Sequence, residues 1–189
     1  MKVIKLSKFK SYNVSSFEVS SDSKDNDVKV CNITPLCVEV PDVSISIYDG
    51  TGVIKCNEEL QDVINNIEQS IISSLVENSE SVFGKQFDRE KFENGLVSSV
   101  KNGKFCINVC ESSKLFSKDL TLYENISELA IHGDLTFRVS SISFYKSKFT
   151  VSFELVFFKE LLEYQSDIDS IIVESGSDNE NLEKDDNFF

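Results

Sequence analysis

Eleven basic side chains lie between Lys85 and Lys159, against nine acids, in a chain whose net charge is −13. They gather around residues that read as turns and strand ends: Lys101 and Lys104, Lys114 and Lys118, then Arg138, Lys146 and Lys148. Phe105, Phe116, Tyr123, Phe144 and Tyr145 lie beside them. Cations track phosphates, and flat rings stack on nucleobases at roughly 1–3 kcal/mol per base. The combination points to single-stranded nucleic acid. Lys101, Lys104, Arg138, Lys146 and Lys148 are the expected phosphate contacts, with Phe105 and Tyr145 as stacking platforms. The competing reading is structural: phenylalanines on alternating strands form the core, and lysines at hairpin turns protect edges.

Other chemistries lack their parts. His132 is the single histidine and stands next to Gly133, which suits a loop or core residue. There is no nucleophile elbow, no phosphate-cradling P-loop and no dinucleotide-binding glycine pattern. The five cysteines, Cys31, Cys37, Cys56, Cys106 and Cys110, form no Cys-x-x-Cys pair. They are expected as reduced thiols in or near the core. No metal site, no cofactor and no catalysis are expected. "MKVIKLSKFK" has no long apolar run, and no stretch approaches the ~20 residues that cross a bilayer. An intracellular protein with no membrane partner is the expectation.

The last residues raise a separate question. "NLEKDDNFF" ends an acidic run on two phenylalanines. Residues 165–189 hold eight acids and one lysine, and without them the body is still −6. This composition predicts a disordered tail. A mobile acidic strand with aromatics imitates single-stranded DNA, so it competes for a basic groove. Once freed, it offers Phe188 and Phe189 as anchors to a partner, with Glu183, Asp185 and Asp186 for steering.

The elements that must position these groups are mostly strands. Residues 1–27 read as a basic arm or edge strand followed by the polar loop "SSDSKDND". "VKVCNI", "LCVEV" and "VSISIY" have period two, with Pro35 and Pro41 marking bends. "DGTG" is a turn signal, and "VIKC" returns the strand. Leu60, Val63, Ile64, Ile67, Ile71, Ile72 and Leu75 define an amphipathic helix over 58–76, with Asn57 as its cap. A shorter helix starts at Asp88 and uses Phe92, Leu96, Val97 and Val100. "KFCINV" is a strand. "LTFRV" and "ISFY" share one, with a bulge at the serines between. "FTVSFELVF" pairs with it across "YKSK", alternating Phe149, Val151, Phe153, Leu155 and Phe157. "KELLEY" closes as a helical turn.

The pattern is mainly β: an OB-like β-barrel over 28–164 with an amphipathic helix inserted between strands, plus the tail. A jelly roll or other sandwich fits the same periodicity.

An OB-like body followed by an acidic tail with an aromatic end resembles the single-stranded-DNA-binding proteins of phages and large DNA viruses. The order of "ITPLCVEV", of "LQDVINNIEQSIISSLVENSESVFGK" ending in Phe83-Gly84-Lys85, of "KFCINV" and of the hairpin at 135–158 is similar to theirs. The resemblance implies non-sequence-specific coating of single strands in replication, recombination and repair. It also implies recruitment of replication proteins through the tail. Only Asp185, Asp186, Phe188 and Phe189 match the family's motif residue by residue. Homodimer formation is left open by the sequence. Two alternatives remain: a structural or virion β-sandwich, and an acidic protein-interaction module.

Overall fold

The computed structural model describes residues 3–10, 14, 17–20, 28–124, 126 and 128–161. The tail and residues 21–27 of the polar run fall outside them. The described chain is mainly β, with a few helices. Its strands are β1 (Val3–Lys5), β2 (Phe17–Ser20), β3 (Val28–Tyr48) and β4 (Thr51–Lys55). The helices α1 (Glu58–Glu77), α2 (Ser79–Phe83) and α3 (Arg89–Gly95) follow. Then come β5 (Val100–Lys101), β6 (Lys104–Asn108), β7 (Lys114–Phe116), β8 (Glu128–Tyr145) and β9 (Lys148–Glu160).

One strand organises the sheet. The three expected segments at 28–48 are a single strand, β3, antiparallel to β8 along almost its whole length. The expected bends are register shifts. One falls between Asn32 and Leu36, around Pro35, and the other between Val40 and Val43, around Pro41. Proline has no N–H for the ladder, and a bulge is where that loss is harmless. Asp42, in the second bulge, has φ 58°. The other edge of β3 pairs with β2, β1 and β4 in turn. The amino-terminal segment is thus an edge strand in its first residues, running parallel to residues 37–39.

Tight turns join neighbouring strands. Asp49-Gly50 and Asn102-Gly103 both take positive φ at the two central residues. This is the type I′ arrangement, whose twist matches a two-residue hairpin. The hydrogen-bonded order is β5-β6-β4-β3-β8-β9-β7, and a parallel contact of β6 with β9 at Asn108 and Glu154 closes five of these strands into a ring. Phe105, Phe137 and Phe153 are buried together inside it, ring edges on ring faces at 5.0–5.8 Å.

Helix α1 buries all seven expected apolar residues. The Asn57 side chain accepts from Leu60 N at 2.8 Å, so the cap is as read. Glu68 is buried on the same face. Its carboxylate accepts from Ser99 N at 2.8 Å and Ser98 Oγ at 3.2 Å, tying α1 to the segment after α3. Helix α3 starts after Asp88, as expected, but stops at Gly95. Leu96 and Val97 instead turn extended and bond along Phe149. Helix α2 is an element the periodicity did not show.

The serine bulge in β8 is present, with Ser140 as the extra residue between Val139 and Ser141. A second bulge was not expected. Val156 has no partner between Leu155 and Phe157, and from there the phase of β9 inverts. Phe158 is therefore buried and Phe157 exposed, the reverse of the expected alternation. Strand β9 also continues to Glu160, where a helical turn was expected.

Candidate nucleic-acid interface

The turn between β8 and β9 packs against the α2–α3 segment, and a groove of about 380 Å³ lies between them. Three hydrogen bonds hold the walls together. Lys148 Nζ donates to Asn94 O at 2.9 Å, Val97 N donates to Phe149 O at 2.8 Å, and Lys29 Nζ donates to Val82 O. Gly95 allows the closest approach, because a Cβ there would lie 3.0 Å from Ser147 O. Gly84, at φ 73°, ends α2 and turns the chain back. Phe87 N then bonds to Ser79 Oγ at 3.1 Å.

The groove is floored by rings and rimmed by ammonium groups. Phe83, Phe87, Phe92, Phe144 and Phe149 line it and contact one another at 5.0–6.3 Å. Lys29, Lys91, Lys146 and Lys148 line it too, with Gly95 and Ser147, and no acid is among the lining residues. Lys29 lies over Phe83 at 4.8 Å, Lys85 and Lys91 over Phe87 at 4.9 and 4.8 Å, and Lys146 over Tyr145 at 4.9 Å. Phe83, Phe87 and Tyr145 thus each host a cation on a ring face. A shallower depression alongside, sharing Lys91 and Lys148, brings in Asp88 and Glu90 and bounds the positive region.

Of the expected site residues, Lys146 and Lys148 line this groove, and Tyr145 lies beside it under Lys146. Lys101 and Lys104 do not line it. They face each other across the β5–β6 hairpin, and Lys104 also stands opposite Lys55 on β4, giving a separate exposed trio. One expectation is overturned. Phe105 is fully buried against Phe137 and Phe153, so no base can stack on it. Arg138 lies away from the groove, where its Nε donates to Glu154 Oε2 at 2.7 Å across β8 and β9. Glu183, Asp185, Asp186, Phe188 and Phe189 lie outside the described residues.

Lys29, Phe83, Phe87 and Lys91 were not singled out from the sequence. The run "FGKQFDREKF" does interleave rings and bases, but its two acids disguise it. Lys29 is more than fifty residues away in sequence and joins only through the fold.

His132 stands half-buried between two β3 residues. Its Nδ1 is 3.0 Å from Ser44 Oγ and its Nε2 2.7 Å from Asp42 Oδ1, which links β8 to the second bulge. All five cysteines are free. Among the described residues, no cluster of metal-ligating side chains is present, and no helix is long and apolar enough to cross a membrane.

Fold and groove define a mainly β protein with a lysine-rimmed aromatic cleft. Residues 41–167 match the "Family of unknown function (DUF5871)", and the chain belongs to that family. No curated protein matches it. Among solved structures, the single-stranded DNA-binding protein from bacteriophage Enc34 aligns with 82% of this chain and 99% of its own, at 10% identity and a TM-score of 0.34. A score at that level does not establish a shared fold.

Proposed function

We propose that this protein binds single-stranded DNA in replication, recombination or repair, through the groove between the β8–β9 turn and the α2–α3 segment. Bases stack on Phe87, Phe83 and Tyr145, and the lysines move from ring faces to phosphates. The observation that carries the reading is the acid-free groove in which half-buried Phe83 and Phe87 each lie under an ammonium group, with exposed Tyr145 under Lys146 beside it. Lysine is a flexible point charge, which suits a backbone of variable path. The groove's side chains include no amide or guanidinium fork to read base edges, which favours binding without sequence preference.

The body is proposed as an OB-type fold. Five strands close through one parallel pair while all other ring neighbours are antiparallel. That order suits a five-stranded Greek key, with the helices inserted between its second and third strands. The role is binding rather than catalysis. The acidic tail is proposed to compete with DNA for the groove and, once displaced, to present Phe188 and Phe189 to replication proteins.

The test is a fluorescence titration with oligo-dT at several salt concentrations. Log affinity should fall linearly with log salt, with a slope near −0.7 per neutralised phosphate. Lys91→Met and Lys146→Met should each flatten that slope by about 0.7. Phe87→Leu should weaken binding by roughly 1–3 kcal/mol without changing the slope. Absence of binding at low salt, or a flat salt response, refutes the reading.

A further inference from the structure

A second surface, on the far side of the Val156 bulge, has no part in the groove. The inversion of phase turns Phe157 outward, where it packs on Phe116 of the edge strand β7 at 5.3 Å. Phe116 is bridged in turn to Leu122. Phe157, Leu122 and Leu120 are 38%, 41% and 63% exposed.

Leu120 is held there against its own backbone preference. It sits at φ 60°, in a turn closed by Leu120 N to Ser117 O at 2.9 Å and Ser117 N to Thr121 O at 2.9 Å. A bulky side chain in the left-handed region costs of order 1–3 kcal/mol, and glycine would relieve it. The turn therefore displays an apolar side chain to solvent at the expense of stability.

The chain itself indicates what covers this patch. Strand β9 ends beside it: the Glu160 carboxylate accepts from Tyr123 Oη at 2.7 Å and from Lys118 N at 3.2 Å. Twenty-eight residues follow Leu161, and their first dense apolar group is Ile168, Ile171, Ile172 and Val173. Asp167, Asp169 and Glu174 lie beside or within that group, while exposed Lys114 and Lys159 stand beside Phe157 and Phe116 in the β7–β9 pairing, and exposed Lys118 and Asp119 precede Leu120. Ile168 is seven positions beyond Leu161, a reach of up to ~24 Å when extended. Phe157 is three residues before Glu160, or about 10 Å along the strand. The segment therefore reaches the patch easily. Two copies meeting face to face would instead set the same lysines against each other.

We propose that residues 168–173 dock on the Phe116, Phe157, Leu120 and Leu122 surface of their own chain, with the flanking acids toward Lys114, Lys118 and Lys159. The docked segment divides the tail into an anchored proximal part and a free distal part. Sixteen residues remain after Val173 and extend up to ~55 Å, enough for the terminal phenylalanines to act at a distance. The inference stands apart from the nucleic-acid reading.

Hydrogen–deuterium exchange on the full chain tests it. Amides of 168–173 should exchange about tenfold or more slowly than those of 175–185, at every protein concentration. Phe157→Asp and Leu120→Gly should each abolish that protection, as should Ile171→Asp with Ile172→Asp. Leu120→Gly should leave the body at least as stable to urea, which shows that the loss is not unfolding. Equal exchange across 165–189, or protection unchanged in these variants, overturns the proposal. Protection that grows with concentration, with a dimer in sedimentation, also overturns it and assigns the patch to a second copy.

Discussion

Cys110 and Cys31 are the same side chain in opposite surroundings. Cys31 is buried, and burial pushes its thiol pKa up, as it does for Cys37. At Cys110 the Ser112 hydroxyl lies 3.1 Å from Sγ, and this hydrogen bond, with that of Ser113, lowers the pKa despite partial burial. The thiolate is the nucleophile, so Cys110 should react with iodoacetamide at a lower pH than any other thiol here. Peptide mapping after brief alkylation near neutral pH should find Cys110 first. Labelling of the more exposed Cys106 ahead of it would show that access outweighs hydrogen bonding. At this scale the sequence was legible where a residue acts on its immediate neighbours. Asn57 caps α1 because Leu60 N is three residues away. It was misleading for Phe105, whose neighbours Lys101 and Lys104 suggested a surface ring although strand parity directs it inward.

Among the elements, β8 and β9 set the tightest constraint at Gly133. A Cβ there would lie 2.0 Å from Lys159 O, a backbone atom that cannot yield without shifting the strand. Gly133→Ala should therefore lower the unfolding free energy measured in urea by about 1–3 kcal/mol. A change under half that would mean the strand end relaxes freely. Helix α1 was readable because seven apolar residues recur at one angular position along twenty residues. The serine bulge was readable because two polar residues interrupt an alternating run. The Val156 bulge was not, since every residue from Leu155 to Phe158 is apolar and no phase can be read from composition. Only pairing with Thr136 and Phe137 settles it.

Across the whole molecule, charge is segregated. A net −13 hides a groove lined by four lysines, and the 165–189 segment carries −7. A chain ending at Tyr164 should bind oligo-dT more tightly than the full chain at low salt. The difference should shrink as salt screens both, because the Debye length falls to ~3 Å at 1 M. Equal affinity at low salt would remove the tail from the regulation of binding. The groove was half legible: its hairpin side, Tyr145 to Lys148, is continuous in sequence. Lys29 and the α2–α3 wall reach it only through tertiary packing, which no local pattern encodes.

Strand β3 has one further implication, for synthesis. Val28 pairs with Tyr145 and Tyr48 with Glu128, so the partner of this 21-residue strand is translated 80 to 117 residues later. At about 5–20 residues per second, the ribosome leaves β3 without its mate for several seconds or more. During that wait the nascent chain exposes a long apolar ladder, the kind of edge on which neighbouring polypeptides aggregate. Pro35 and Pro41 interrupt the ladder at two points. They protect the newborn chain in the same places where the finished sheet tolerates a missing donor.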